Sequence, residues 1–183
     1  MRALLDACVL YPTVLREILI GVARAGLYQP LWSARILEEW ARAVARLGPA
    51  DEAVARGEIA ALRAAFPKAE VAPRPGLDAR LHLPDPNDIH VLAAAIAGNA
   101  DAIVTFNAQD FPRGTLAAEG LDRRDPDSLL WELWSTDPGP VAQVVEGVRQ
   151  RAEILSGQPQ PLRPLLKRAK LPRLGKALSA HLP

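Results

Sequence analysis

Short apolar runs alternate along this chain with longer segments in which apolar residues recur at helical spacing. Ala3-Leu4-Leu5 is a short run that ends at Asp6, and residues 102–106 form an unbroken apolar run of strand length. Runs of this kind are typical of strands that are covered on both faces. Strands that alternate with helices predict an α/β fold with a mainly parallel sheet.

The same pattern places the individual elements. We predict strands at residues 3–5, 31–32 and 102–106, a weaker strand at 121–124, and another before the proline-rich stretch that follows residue 70. Helices are predicted at about 12–25, 33–47, 51–66, 86–98, 126–134 and 140–155. From about residue 158 the prolines predict an irregular tail, in which residues 174–182 could form a short helix.

Composition limits the classes of protein that this chain could represent. A length of 183 residues fits one domain with appendages, and no apolar run is long enough to cross a bilayer. Cys8 is the single cysteine, so no internal disulfide forms and we expect a cytoplasmic protein without a membrane segment. We also expect Cys8 to be a small buried hydrophobic residue. With three histidines in the whole chain, a metal would have to be held by oxygen atoms.

Charge is distributed unevenly although the net charge is only +1. No acidic residue follows Glu153, whereas six basic residues do. An acidic body, residues 1–153, thus carries a basic tail. As domains we predict residues 1–135 and a C-terminal segment, residues 136–183, that contains a helix and the basic tail. The basic residues of the tail are Arg163, Lys167, Arg168, Lys170, Arg173 and Lys176.

Acidic and amide side chains fall where a site belongs in a parallel sheet. Ligands bind outside the carboxyl ends of the strands. Asp6 follows the first strand, Asn107 and Asp110 follow the strand at 102–106, and the helix that begins near Asp85 leads into that strand. The sequence therefore predicts that several carboxylates converge on one edge of the sheet.

Each of these acids also has a purely structural explanation. Asp85 before a proline is a good helix N-cap, and Asp88 in the first turn is favoured by the helix dipole. Asp6 is harder to explain in this way, because an unpaired carboxylate within apolar sequence would cost several kcal/mol. Glu38 and Glu39 flank the apolar stripe of their helix almost symmetrically, so periodicity does not choose between them.

Four segments, in this order, resemble the PIN-domain ribonucleases, a family that includes the VapC-type toxins of toxin–antitoxin systems. The segments are LLDACVLYP, SARILEEW, LPDPNDIHVLAAA and ADAIVTFNAQDFP, and the resemblance covers about residues 2–112. The resemblance implies a three-layer α/β/α fold with a central, mainly parallel sheet. It also implies a carboxylate cluster that binds Mg²⁺ or Mn²⁺ and hydrolyses RNA.

The resemblance also implies which residues form the site. The catalytic and metal-binding cluster would be Asp6, Glu39, Asp88 and Asp110, and it is the resemblance that selects Glu39 over Glu38. Asp85 is an additional acid, and Thr105, Asn107 and His90 would support the cluster. Asn107 departs from the family pattern, which often has aspartate there, and this puts a second metal position in doubt. The partners implied are an RNA substrate, an antitoxin protein and a second copy of the chain. The basic tail then either contacts the RNA or is a solvated terminus.

Two other functions compete with a metal-dependent endoribonuclease. A PIN-like module that binds RNA or protein and cleaves weakly is one alternative, which Asn107 and the basic tail favour. A haloacid-dehalogenase-type phosphatase is the other, since it also has an aspartate after its first strand. That class needs a second aspartate two residues later, where this chain has Cys8, so we discard it.

Overall fold

A single parallel sheet of five strands lies at the centre of the fold. The structure is a computed structural model, and it describes residues 1–181. The strand order is β3-β2-β1-β4-β5, and all four pairings are parallel. The strands are β1 (Arg2–Leu5), β2 (Gln29–Ser33), β3 (Glu70–Val71), β4 (Ala102–Val104) and β5 (Asp122–Arg124). The predicted class, a three-layer α/β/α fold with a parallel sheet, is confirmed.

Helices connect the strands and continue after the last one. In chain order they are α1 (Ala7–Leu10), α2 (Thr13–Arg24), α3 (Ala34–Ala45), α4 (Pro49–Ala65), α5 (Ile89–Ala97), α6 (Arg113–Ala118), α7 (Pro126–Thr136), α8 (Pro138–Ser156), α9 (Leu162–Arg168) and α10 (Pro172–His181). Short 3₁₀ helices occupy Asp78–Arg80 and Pro86–Asp88. Within residues 1–181, no helix is both long enough and apolar enough to cross a membrane.

The helices and strands belong to two compact units that interleave along the chain. Unit 1 comprises Met1–Tyr11 and Tyr28–Arg124, and it contains the whole sheet. Unit 2 comprises Pro12–Leu27 and Asp125–Pro183 and is helical wherever it has regular structure. The linear division at residues 135 and 136 stays a prediction, and residues 182 and 183 lie outside the described part.

Local sequence explains how the helices of unit 1 begin. The Oγ of Ser33 accepts a hydrogen bond from the Ile36 N–H at 3.2 Å, so Ser33 caps α3 as predicted. Asp85 Oδ1 accepts from the Asn87 N–H at 2.9 Å, and Pro86 begins the 3₁₀ turn that leads into α5. The capping role that the sequence indicates for Asp85 is therefore confirmed.

The strands of unit 1 form its core. Leu4 and Leu5 in β1 and Ile103 and Val104 in β4 are completely buried, as expected for strands covered on both faces. The predicted strand at 102–106 is shorter, because β4 ends at Val104 and the chain then turns. Helix α1, a single turn directly after Asp6, is not predicted by the sequence pattern.

The basic tail in unit 2 is helical, so the expectation of an irregular tail is wrong for α9, whereas the short helix expected at residues 174–182 is present as α10. The prolines lie at or near helix starts, where no intrahelical N–H is lost: Pro161 precedes α9, Pro164 lies in its first turn and Pro172 begins α10. Leucines supply the buried face, namely Leu165, Leu166, Leu171, Leu174 and Leu178. Leu182, at the end of the predicted short helix, lies outside the described residues.

Candidate metal and active site

Asp6 lies directly after β1, and its carboxylate is held by two side chains. The residue is 8% exposed. Thr105 Oγ1 donates to Asp6 Oδ2 at 2.7 Å, and Cys8 Sγ lies 3.1 Å from the same oxygen. Thr105 in turn accepts a hydrogen bond from the Asn107 N–H at 2.9 Å. Because both donors go to Oδ2, the opposite oxygen, Oδ1, is the one left to meet a ligand.

Cys8 has a polar role, in contrast to the expectation of a small buried hydrophobic residue. It is only partly buried, and its sulfur also accepts from the Phe106 N–H at 3.3 Å. Burial, together with the negative charge of Asp6, raises the pKa of the Cys8 thiol to about 12. The thiol therefore stays protonated at neutral pH and donates to Asp6.

Three carboxylates come together beside Asp6. Asp85, Asp88 and Asp110 each offer one oxygen, and these oxygens all lie within 4.8 Å of one another. Asp85 and Asp88 come from the turn before α5, and Asp110 comes from the loop after β4. The parallel pairing of β1 with β4 places Asp6 and the loop that carries Asp110 at the same, carboxyl edge of the sheet. Asp6 and Glu39 lie outside this group of three.

Asn107 lies between two of these carboxylates. Its Nδ2 donates to Asp88 Oδ2 at 2.9 Å and to Asp110 Oδ2 at 2.6 Å. The opposite orientation of the amide would set its carbonyl oxygen against two carboxylate oxygens, so the donor must face the acids. Asn107 thus supplies two N–H donors where a cation would otherwise reduce the repulsion between Asp88 and Asp110.

Electrostatic crowding is strongest at Asp88. Its pKa is raised from the ordinary value to about 6, first by burial and then by the negative charges of Asp6, Asp85, Asp110 and Glu39. A raised pKa of this kind means that nearby positive charge and hydrogen-bond donors do not fully balance the negative charge of the carboxylate. All five acids therefore act on one small volume, although three of them alone form the tight group.

The structure distinguishes the two glutamates of α3. Glu38 pairs with Arg42 and Arg56 on the surface, and those guanidinium groups lower its pKa to about 2. Glu39 faces the site instead, where its Oε1 lies 2.9 Å from His90 Nε2 and 3.2 Å from Arg35 Nε. Side-chain contacts made in the folded chain thus separate residues that periodicity leaves equivalent.

His90 is a neutral hydrogen-bond donor to Glu39. The residue is 9% exposed, and burial lowers its pKa. Nδ1 has no hydrogen-bond partner within the described residues, which assigns the proton to Nε2. His90 therefore orients the Glu39 carboxylate without adding a charge, and the supporting role predicted for it stays a prediction.

Arg123 and Arg35 are contacts of the site that the sequence does not signal. Arg123, in β5, donates through NH1 to the carbonyl oxygens of Ala108 and Phe111, on either side of Asp110. It therefore anchors the loop that carries this acid. Arg35 donates to Glu39 and to the Asn87 carbonyl, and so connects α3 to the turn before α5. The sheet order brings Arg123 to the site, whereas Arg35 lies one helical turn before Glu39 in α3.

A hard divalent cation fits the donor set. Carboxylate oxygens are the ligands that Mg²⁺ and Mn²⁺ prefer, and metal–oxygen bonds of about 2.1 Å place opposite ligands about 4.2 Å apart. Asp85, Asp88 and Asp110 are close to that spacing at 4.8 Å or less. The raised pKa of Asp88 marks negative charge that a cation would stabilise.

The six basic residues of the tail belong to unit 2 and are all exposed.

Together, the parallel sheet and the acids at its carboxyl edge define an α/β domain with a candidate metal site. A family model described as PIN domain matches residues 2–109, more than half of the chain, so the chain belongs to the PIN domain family. The matched range ends one residue before Asp110. Comparisons with curated proteins and with solved structures find no match. PIN domains are typically metal-dependent nucleases, and the acidic cluster is compatible with that activity.

Proposed function

We propose that this protein is a metal-dependent endoribonuclease that hydrolyses phosphodiester bonds in RNA. The observation that carries the proposal is the convergence of Asp85, Asp88 and Asp110, with the pKa of Asp88 raised to about 6. Membership of the PIN domain family supports a nuclease. RNA as the substrate, Mg²⁺ or Mn²⁺ as the cation and a cytoplasmic location are parts of the proposal.

The proposed roles of the residues follow from their contacts. Asp88, Asp110 and Asp6 would hold the cation with Glu39, and Asp85 adds a further carboxylate while it caps the turn before α5. When bound, the cation supplies positive charge beside the scissile phosphate and lowers the pKa of an attacking water. Thr105 and Cys8 fix the rotamer of Asp6, and His90 fixes Glu39. The Cys8 thiol, with a pKa of about 12, is not a nucleophile at neutral pH, so attack is assigned to water.

The test is cleavage of a mixed-sequence single-stranded RNA by the purified full-length protein. Cleavage should require Mg²⁺ or Mn²⁺, should cease with EDTA, and should fall by at least about a hundredfold in Asp88→Asn and Asp110→Asn. Asp51→Asn, which removes an exposed acid at the start of α4, serves as the matched control and should leave the rate unchanged. Equal cleavage by wild type and Asp88→Asn would exclude this site as the source of the activity.

The second candidate function is a PIN-like module that binds RNA or protein and cleaves weakly. The observation that favours it is the Asn107 amide, which already links Asp88 and Asp110. If this function is correct, the protein binds RNA with EDTA present and adding Mn²⁺ produces little or no cleavage. Asn107→Asp separates the two functions further, because it should create activity in a weak binder and alter metal dependence in a working nuclease.

The most specific part of the proposal is the role of a toxin, and it is supported by the family resemblance. Induced expression of the protein should arrest bacterial growth, and Asp88→Asn should not. Co-expression of a cognate antitoxin protein should restore growth and should yield a complex on gel filtration. The same column tests the proposed homodimer. Growth that is equal for wild type and Asp88→Asn would argue against a toxin.

A further inference from the structure

A cavity of about 150 Å³ lies in unit 1, beside the acidic site. It opens at the carboxyl ends of β2 and β3, next to Ser33 and Val71, and the first half of α5 forms its other wall. Its lining includes Arg35, Arg74, Asp78, His90, Ala93 and Ala94. Neither the sequence motifs nor the acidic cluster assigns a role to this cavity.

Two residues belong both to the cavity and to the acidic site. His90 lines the cavity, and its Nε2 lies 2.9 Å from Glu39 Oε1. Arg35 also lines the cavity, and its Nε lies 3.2 Å from the same glutamate oxygen. A molecule in the cavity would therefore be separated from Glu39 by one side chain.

The chemistry of the lining fits a nucleotide. Ala93, Ala94, Val71 and Pro73 make an apolar slot whose volume suits one ring system and is smaller than the pockets of drug-sized ligands, which are about 300–1,000 Å³. Two arginines in the lining, Arg35 and Arg74, carry guanidinium groups that suit a phosphate. The Arg74 side chain is exposed and makes no ion pair within residues 1–181.

Asp78 adds an acceptor to this lining. A carboxylate accepts a hydrogen bond from the amino group of cytosine and repels the carbonyl oxygen that uracil carries at the same position. The two pyrimidines have nearly the same shape, so a slot that admits one admits the other and the polar group decides between them. Asp78 is exposed and begins a 3₁₀ turn, so the structure does not require its side chain for folding.

We propose that this cavity is a nucleotide subsite that binds one residue of the single-stranded RNA substrate and prefers cytosine to uracil. The base occupies the slot, the phosphate meets Arg35 and Arg74, and Asp78 reads the amino group. This inference rests on the proposed function, because it takes the bound strand to be the substrate of the neighbouring acids.

The experiment measures binding with EDTA present, so that no RNA is cut. The protein carries ¹³C-methyl alanine, and the probes are an oligouridine and the same oligomer with one central cytidine. The cytidine oligomer should shift the Ala93 and Ala94 methyl signals and should bind roughly tenfold more tightly than the oligouridine. Asp78→Asn should reduce that preference to about onefold.

Arginine variants test the phosphate contact. Arg74→Gln should weaken both oligomers similarly and should reduce the log–log salt slope by about 0.7. Arg46→Gln, which removes an exposed arginine at the end of α3, is the matched control and should change neither value. CMP alone is the third probe, and it separates a free nucleotide from a nucleotide within a strand.

Three results would overturn the inference. One is the absence of shifts at Ala93 and Ala94 with either oligomer, and another is an unchanged salt slope in Arg74→Gln. The third is binding of CMP without binding of the oligomers, which would make the cavity a site for free nucleotides. Failure of the proposed function is distinguishable, because a protein that binds the oligomers here and never cleaves them retains the subsite and loses the nuclease.

Discussion

The amide nitrogen of Asn107 donates to Asp110 Oδ2 at 2.6 Å, and the same nitrogen donates to Asp88. Each N–H offsets negative charge on one carboxylate, so the amide partly replaces a cation in the metal-free site. Metal binding to Asp88 and Asp110 must then compete with these hydrogen bonds. Asn107 therefore stabilises the metal-free protein and lowers its affinity for metal.

Replacing Asn107 with aspartate should therefore have opposite effects with and without metal. Asn107→Asp removes two charge-assisted hydrogen bonds and adds a carboxylate, so the metal-free protein should lose about 1–3 kcal/mol of unfolding free energy. Saturating Mn²⁺ should recover that loss through tighter binding to the folded state. Urea unfolding with EDTA and with Mn²⁺ measures both effects. Gln143→Glu, which adds an exposed carboxylate in α8, is the control, and an equal loss there would contradict the prediction.

The pKa of Asp88 predicts how metal-free stability depends on pH. Because the folded-state pKa, about 6, is above the unfolded value, the folded protein binds more protons between about pH 4 and pH 6. The contribution of this group is therefore complete below about pH 4 and is lost as the pH rises through 6. Thermal melts with EDTA should show this decline for wild type and a flatter profile for Asp88→Asn. Identical profiles would mean that the charge of Asp88 is already compensated.

Substitutions at Thr105 test how much its hydroxyl group stabilises the buried carboxylate of Asp6. Thr105→Val keeps the shape and removes the hydroxyl that donates to Asp6 at 2.7 Å, so a carboxylate that is 8% exposed loses a donor. We expect a loss of about 1–3 kcal/mol in urea unfolding. Thr105→Ser should retain most of the stability, and Thr115→Val, in α6, is the control for the change of residue type. A neutral Thr105→Val would show that Cys8 alone is a sufficient donor.

Gly98 tests how closely α5 approaches the sheet. A Cβ at Gly98 would lie 2.9 Å from Val71 Cγ2 and 3.1 Å from the Ala94 carbonyl oxygen. Gly98→Ala should therefore cost about 1–3 kcal/mol, since the helix end must move away from the strands. Gly114→Ala, in α6, meets no atom within 4 Å and should stabilise by up to about 1 kcal/mol. Equal effects of the two substitutions in denaturant unfolding would contradict this packing.

The basic tail should be tested by charge removal and not by truncation. Deleting residues 158–183 would remove the buried leucines of α9 and α10, whereas Arg163, Lys167 and Lys176 are exposed. If these cations bind RNA phosphates, replacing all three with Gln should lower the log–log salt slope by up to about 0.7 for each phosphate that is no longer neutralised. Replacing Arg24, Arg46 and Lys68 with Gln removes the same charge elsewhere on the surface. Equal slopes for the two triple variants would exclude the tail from RNA binding.

The sequence determined the parts of this protein that depend on neighbouring residues. Alternation of apolar runs and helical periodicity predicted the parallel α/β sheet, because burial on both faces leaves a local pattern. Ser33 and Asp85 were identifiable as caps, since the donors they satisfy lie two or three residues along the chain. The placement of acids at strand ends indicated one edge of the sheet. Asp85, Asp88 and Asp110 do come together there.

Tertiary structure decided the contacts between residues that are distant in sequence. Thr105 reaches Asp6 across 99 positions because β1 pairs with β4, and no local pattern records that pairing. Glu39 and Glu38 are distinguished by their neighbours in the folded chain: Glu39 contacts His90, whereas Glu38 pairs with arginines on the surface. The prolines of the tail were misleading for the same reason: leucines packed in the folded unit stabilise α9 and α10, and a helix start tolerates proline. Packing energy and electrostatic pairing exist only in the folded chain, so these features are properties of the tertiary structure.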